Sequence, residues 1–200
     1  MSAPPYFLTD GEASELAPEL ERRVVAEEVA TVYATLRGAV FAGVTLAAVV
    51  GIFFFVHLGR TSALVWFAIF AAGKLRYPRI GAYFADPDPG RRSVYWSRSV
   101  TRELYVTSLI WGLAPWMLLP DGDLPLAALL SVMLLTLASG GMLAVAPVRG
   151  AIYAHAVPMT AGLATALAWR GTGTELLLAG CCLLYLVVTL GFALRQHSLI

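Results

Sequence analysis

The stretch GAVFAGVTLAAVVGIFFFVHL, residues 38–58, contains 21 consecutive residues without an Asp, Glu, Lys or Arg. A helix of this length is about 32 Å long, which matches the roughly 30 Å hydrocarbon core of a bilayer. Because lipid offers no hydrogen-bond partner to the backbone, an α-helix is the expected conformation. The stretch therefore predicts a first transmembrane helix, which we assign to residues 36–58.

Further apolar segments of similar length follow the first one. The chain has 58% hydrophobic and 14% charged residues, against roughly 25% charged residues in a typical soluble domain. So few charges cannot cover the surface of a soluble domain of 200 residues. We therefore predict an all-α polytopic membrane protein with six transmembrane helices, at residues 36–58, 61–84, 99–119, 124–147, 150–170 and 174–195.

The segment KLRYPRIGAYFADPDPGRRSVYWSRSVTRE, residues 74–103, holds seven of the fourteen Lys and Arg residues. Apolar segments of membrane length flank it, which argues against a soluble nucleic-acid-binding module. Six spans would place twelve Lys and Arg residues on the side of the N-terminus and only Arg60 and Arg170 on the other. This asymmetry follows the positive-inside rule and predicts that both termini are cytoplasmic.

The residues before the first span are expected to form a cytoplasmic segment with an amphipathic juxtamembrane helix. Leu16, Leu20 and Val24 recur at helical spacing and would form one apolar stripe. The first apolar run starts too late and is too long for a cleaved signal peptide. The predicted organisation is a cytoplasmic segment at residues 1–35, a six-helix domain at 36–195 and the start of a cytoplasmic signalling helix at 196–200.

An acidic segment lies on the same predicted side of the membrane as the basic one. Residues 10–28 contain seven acidic residues and two arginines. We expect Glu27 or Glu28 to bind the basic segment, and its candidate partners are Arg76, Arg98 and Arg102. Exposed ion pairs contribute only about 0–1 kcal/mol each, so only a network of them would fix the juxtamembrane helix.

Two opposite charges approach the same edge of the membrane from neighbouring spans. By helical rise, Lys74 lies about 20 Å and Glu103 about 24 Å below the outer ends of their spans. An intramembrane charge pair of Lys74 with Glu103 is one interpretation, since ionisable groups in a membrane tend to pair. In the other, Lys74 extends to the headgroups and Glu103 pairs with Arg98 or Arg102.

Aromatic residues and prolines predict a pocket for a hydrophobic small molecule. Trp111 and Trp116 flank Pro115 in the third span, and Pro158 lies in the fifth span one turn after His155. Proline removes a backbone hydrogen bond and favours a kink. Kinked helices lined by tryptophans could enclose a flat or acyl ligand. The short outer loops leave no room for an extracellular binding domain.

No residue pattern predicts catalysis, a metal site or a cofactor. Ser139 and His155 could lie at similar depth and form a dyad, but no oxyanion donor is indicated, and small residues of the LASGG stretch favour close helix packing. Cys181 and Cys182 are adjacent and lack metal-ligand spacing, so we interpret them as packing residues. The chain is therefore not expected to be an enzyme by itself.

Three stretches in a fixed order carry a resemblance to a known family. They are RVVAEEVATVY at 23–33, LIWGLAPWMLLP at 109–120 and ASGGMLAVAPVRGAIYAHAVP at 138–158. Over residues 22–195 the chain resembles the six-helix membrane-associated sensor (MASE-type) modules of bacterial histidine kinases and of GGDEF/EAL cyclic-di-GMP enzymes.

The resemblance implies a sensor in the bacterial inner membrane that acts as a homodimer. It would pass a signal through the sixth span to a cytoplasmic output domain in the same polypeptide, which is absent from these 200 residues. Two other functions stay open: a small six-helix solute transporter or vitamin-uptake substrate-binding subunit, and a structural or assembly protein of the membrane. Transporters more often show internal repeats, which this sequence lacks.

Overall fold

The computed structural model describes residues 10–74, 78–120 and 122–197, with side chains over 19–73, 80–120 and 122–195. Apart from one 3-10 turn at Gly90–Arg92, the regular structure in these residues is α-helical, which confirms the all-α prediction. The helices are α1 (Asp10–Leu58), α2 (Thr61–Lys74), α3 (Pro78–Ala85), α4 (Ser93–Leu118), α5 (Leu124–Val145), α6 (Arg149–Arg170) and α7 (Gly173–His197).

Four of the described helices, α1, α5, α6 and α7, are long and apolar enough to cross a membrane. The predicted span 61–84 corresponds to α2 and α3, and residues 75–77 lie outside the described residues. α2 has 14 residues and is about 21 Å long, shorter than the hydrocarbon core. α4 has 26 residues, but its first half is rich in charged residues. A crossing by these two segments stays a prediction.

α1 is a single helix of 49 residues, about 73 Å long, and it continues without a break through residue 35. Of the predicted stripe, Leu20 and Val24 are 62% and 46% exposed and do not pack in the bundle, and the side chain of Leu16 lies outside the described residues. Between residues 29 and 36 of α1, the buried residues are Val29, Val32, Tyr33 and Leu36. Val25 is partly buried against the same cluster, so the packing face of α1 continues from its apolar half to about residue 25.

The bundle has a basic end, where α4 and α6 begin and α5 and α7 end, and an opposite end. A hydrogen bond from Ser62 to the Met117 carbonyl, with an oxygen–oxygen distance of 2.6 Å, joins α2 to α4 at the opposite end. The basic end carries Arg91, Arg92, Arg98, Arg102, Arg149 and Arg195, and the opposite end carries Arg60 and Arg170. The helix directions thus place these six arginines at one end of the bundle and two at the other.

A cluster of aromatic side chains lies in each half of the core. Near the opposite end, Trp66 and Phe70 pack edge-on against Trp111, with ring centroids 5.1 and 5.3 Å away. Near the basic end, Tyr33 stacks on Tyr83 at 4.0 Å. Tyr33 also donates a hydrogen bond to the Trp96 carbonyl, and Trp66 donates one to the Ile110 carbonyl. These groups tie α1, α2 and α3 to the same helix, α4.

Asp86 organises the connection between α3 and α4. Its carboxylate accepts hydrogen bonds from the backbone N–H of Asp88 and the indole N–H of Trp96, and it pairs with Arg92 at 3.7 Å. These contacts, led by the backbone hydrogen bond, lower the pKa of Asp86. The carboxylate is therefore charged at neutral pH and fixes the start of α4.

The parallel helices α4 and α6 meet at two glycines. A methyl group on Gly112 would lie 2.5 Å from the Pro158 carbonyl oxygen, and one on Gly162 would overlap the Gly112 carbonyl. Pro115 and Pro158 both lie inside continuous helices near this crossing. Small residues that permit backbone contact are the usual basis of close helix packing in membranes.

We expect Gly162→Ala to destabilise the protein by about 1–3 kcal/mol, because the added methyl group forces the two backbones apart. Gly180→Ala is the matched control. A methyl group on Gly180 meets nothing within 4 Å, and alanine is the better helix former. Unfolding by SDS titration in mixed micelles measures both changes. Equal stability of the two variants would contradict the described crossing.

Candidate functional site

A cavity of about 570 Å³ lies between the two halves of the core. This volume is within the range of about 300–1,000 Å³ that is typical of small-molecule pockets. α1, α4 and α5 form most of its wall, and Phe70, Ile80 and His155 are contributed by α2, α3 and α6. Most of the lining side chains are aliphatic or aromatic, among them Leu36, Val40, Leu46, Leu104, Trp111 and Met133.

One wall of the cavity, formed by α4, is polar, and Tyr33, Thr136 and His155 add polar groups from α1, α5 and α6. Glu103 and Thr107 line it together with Trp111. These three residues are spaced at i, i+4 and i+8, so they lie along one face of α4. Glu103 is half-buried. The wall therefore places a carboxyl group, a hydroxyl group and an indole ring in a row inside an apolar pocket.

His155 of α6 is held in one orientation at the edge of this wall. Its Nδ1 lies 3.1 Å from the Ser108 hydroxyl, and its Nε2 lies 3.4 Å from the Leu137 carbonyl oxygen. A carbonyl can only accept, so Nε2 carries the proton and Nδ1 accepts from Ser108 in the neutral ring. Both ring nitrogens of His155 thus have a hydrogen-bond partner, although the side chain is buried and only 7% exposed.

Gly141 of α5 provides the space for the imidazole ring. A methyl group at this position would overlap His155 Nε2. The neighbouring Gly140 also lines the cavity, and a methyl group there would meet nothing within 4 Å. The two glycines therefore have different roles, since one accommodates His155 and the other leaves cavity volume open.

The structure brings two of the five predicted ligand-binding residues to the cavity, Trp111 and His155. Trp116 is 45% exposed and lies 6.2 Å from Trp169 at the opposite end of the bundle. Pro115 and Pro158 do not line this cavity either. The prolines lie at the α4–α6 crossing, where the helices are in contact and leave no volume for a ligand.

The structure describes the side chains of only some of the residues in the predicted charge contacts. Glu103 lines the cavity, whereas the side chains of Lys74 and Arg76 lie outside the described set. Among the described side chains, Arg92 pairs with Asp86 at the basic end and Arg23 pairs with Glu19 on α1. Pairing of Lys74 with Glu103 therefore stays a prediction.

The juxtamembrane network also stays a prediction. Glu27 is exposed on α1 and Glu28 is half-buried, while Arg98 and Arg102 are exposed on α4. The Glu28 side chain interacts with another group of the protein, and it lies on a more buried face of α1 than Glu27 does. Of the two acids, Glu28 is thus the one turned toward the bundle.

The serine beside His155 is Ser108, and Ser139 has a different partner. Ser139 donates to the Leu135 carbonyl of its own helix, with an oxygen–oxygen distance of 2.8 Å. Sequence spacing alone does not reveal the contact with Ser108, because the two residues are 47 positions apart. The row of Glu103, Thr107 and Trp111 could have been found from its i, i+4, i+8 spacing.

Comparison with protein-family models, with curated proteins and with solved structures gives no match for this chain.

We expect Ser108→Ala to destabilise the protein by about 1 kcal/mol, because it leaves His155 Nδ1 without its donor in a buried site. Ser139→Ala is the control, since that hydroxyl bonds only within its own helix and its removal should change stability by a few tenths of a kcal/mol at most. Unfolding of both variants by SDS titration measures the two changes in stability. A larger loss from Ser139→Ala would contradict the assignment of Ser108 as the histidine's partner.

Proposed function

We propose that this chain is a membrane-embedded sensor module that binds an apolar small molecule between α1, α4 and α5. The observation that carries the proposal is the cavity of about 570 Å³ with aliphatic walls and one polar row. A few placed polar groups in an apolar pocket are the usual design of a small-molecule site. Glu103 and Thr107 would orient the polar group of the ligand, and Trp111 would pack on its apolar body.

The ligand would reach the cavity from the lipid. The connections at the opposite end are short: α1 ends at Leu58 and α2 begins at Thr61, and α6 ends at Arg170 and α7 begins at Gly173. Such turns offer no separate surface for a large soluble ligand. An apolar molecule that partitions into the bilayer matches both the wall chemistry and this access.

Contacts on α5 would connect the cavity to α7. Tyr185 of α7 donates a hydrogen bond to the Leu135 carbonyl, with an oxygen–oxygen distance of 2.8 Å. Two residues further along the same helix, the Leu137 carbonyl lies next to His155 Nε2, and Leu137 lines the cavity. A shift of α5 that accompanies ligand binding would therefore reach α7 through Tyr185.

The helix α7 would transmit the signal to an output domain in the same polypeptide. It has 25 residues and contains no proline, so it is about 38 Å long and continuous. A ligand drives such a shift only by binding two packings of the bundle with different affinity. We propose a homodimer in the bacterial inner membrane with both termini cytoplasmic and a histidine kinase or cyclic-di-GMP enzyme as the output.

Filling the cavity should abolish ligand binding. Replacing Trp116 and Trp169 by Phe leaves Trp66, Trp96 and Trp111, and we expect dibrominated stearyl alcohol to quench the fluorescence of Trp111 and its neighbour Trp66 in this background. Gly43→Leu should raise the probe concentration that gives half-maximal quenching at least tenfold. Gly43 lines the cavity, and a methyl group there meets nothing within 4 Å, so the larger side chain occupies ligand volume without a clash.

Gly38→Leu is the matched control for this titration. Gly38 lies on the same helix with equally open surroundings but does not line the cavity. Quenching that is the same in both variants would show that the probe reports only on the surrounding micelle, and the proposed site would then be wrong.

Coupling to α7 is tested by a distance measurement. We expect the probe to shift the distance between spin labels at Arg149→Cys and Arg195→Cys by about 2 Å, in a background without Cys181 and Cys182. Tyr185→Phe should reduce this shift and leave quenching by the probe unchanged. Thr189→Val is the control, because Thr189 donates to a carbonyl of its own helix.

Binding without any shift of α7 in the parent protein would contradict the sensor proposal. Reconstituted vesicles that accumulate the bound molecule would then favour the solute-transporter alternative.

A further inference from the structure

A groove on the outer surface of the bundle lies between α4 and α6 at the basic end. It encloses about 520 Å³ and is open along one side. Its described lining comes from these two helices alone: Ser97, Arg98, Thr101, Arg102, Tyr105, Gly150 and Ala154. The groove is therefore separate from the internal cavity, which shares none of these residues.

The chemistry of the groove is that of an anion site. Arg98 and Arg102 are one helical turn apart, and both are exposed. Ser97 adds a hydroxyl group, whereas the Thr101 hydroxyl donates a hydrogen bond to the Ser97 carbonyl. Arginine binds phosphate through several N–H groups at once, and such charge-assisted hydrogen bonds are stronger than neutral ones.

The first turn of α6 adds to the positive potential. Val148 precedes this helix and provides no side-chain cap for it. Gly150 in the first turn has no side chain, and a methyl group on it would lie 3.4 Å from the Thr101 hydroxyl. Backbone N–H groups at the start of a helix attract negative charge, so the helix end reinforces the two arginines.

An apolar strip continues from the groove along the same face of α4. Tyr105, Leu109 and Leu113 are 49%, 41% and 46% exposed. The strip ends at Trp116, which packs beside Trp169 of α6. From Arg102 to Trp116 the helix rises about 21 Å, so a basic site is joined to an exposed apolar path of roughly acyl-chain length.

We propose that the groove binds an anionic phospholipid, with its phosphate on Arg98 and Arg102 and an acyl chain along Tyr105, Leu109 and Leu113. A soluble phosphate would use only the basic part of this surface. Basic pockets between membrane helices are suited to lipid headgroups, and the apolar strip directly above the arginines selects a molecule that carries both a phosphate and a hydrocarbon chain.

The test compares lipid binding by native mass spectrometry, with the full chain in a neutral detergent and phosphatidylglycerol or phosphatidylcholine as the probe. We expect phosphatidylglycerol to bind more tightly than phosphatidylcholine. Arg98→Gln/Arg102→Gln should weaken phosphatidylglycerol binding about 25-fold, because each arginine near an anionic headgroup contributes about fivefold. Phosphatidylcholine binding should change little.

Two further variants control for charge and folding. Arg22→Gln/Arg91→Gln removes two exposed arginines outside the groove, and it should leave the lipid preference unchanged. Arg98→Lys/Arg102→Lys keeps both charges and should retain most of the affinity. If the lysine variant binds and the glutamine variant is equally monodisperse, loss of binding in the latter reports on the groove and not on misfolding.

Three results would overturn the proposal. The first is phosphatidylglycerol binding that is the same in the glutamine variant and in its control. The second is displacement of the lipid by equimolar glycerol phosphate, which would make the groove a site for a soluble anion. The third is a lipid-independent dimer that is lost only in the glutamine variant, which would make this face an interface between two copies of the chain.

Discussion

The backbone contact of α4 with α6 at Gly112 and Gly162 is the constraint on which the rest of the structure depends. The two helices are parallel, and their contacts keep a nearly constant offset along the chain. Ser108 meets His155 47 positions later, and Arg170 donates to the Pro120 carbonyl across 50 positions. Because both helices rise by the same amount per residue, a single close crossing fixes all of these pairs together.

This register gives α4 two working surfaces. Its inner face presents Glu103, Thr107 and Trp111 to the cavity, and Ser108 on the neighbouring face holds His155 at the edge of it. Its outer face presents Arg98 and Arg102 to the groove beside α6. The charged residues of α4 belong to the two candidate sites: Glu103 to the cavity, and Arg98 and Arg102 to the groove. These residues explain why α4 is more polar than α5, α6 and α7 although it lies at the centre of the bundle.

The sequence predicts the apolar helices well because bilayer thickness fixes their length. The segments 124–147, 150–170 and 174–195 correspond to α5, α6 and α7 within about two residues at each end. The segment 61–84 contains α2 and most of α3, and residues 75–77 between them lie outside the described residues. Leu20 and Val24 are exposed on α1, because tertiary packing, and not local amphipathicity, selects the face that the bundle buries.

The candidate site was less accessible to sequence reasoning. Trp111 and His155 stand out by residue type, and Glu103 with Thr107 follows from helical spacing. The roles of Ser108 and Gly141 depend on contacts between helices that are distant in sequence, and no local pattern encodes them. Pro115 and Pro158 were assigned to the pocket because they predict kinks, whereas they lie where α4 and α6 are in closest contact.

The register of α4 and α6 is tested most directly by disulfide formation in native membranes. A side chain at Gly150 would lie 3.4 Å from the Thr101 hydroxyl, close to the spacing that a disulfide requires. In a background without Cys181 and Cys182, we expect Thr101→Cys/Gly150→Cys to lose both free thiols on mild oxidation, as measured by alkylation and mass. Thr101→Cys/Tyr153→Cys, displaced by nearly one turn, should keep them. The opposite pattern would contradict the α4–α6 register and, with it, the positions of both sites.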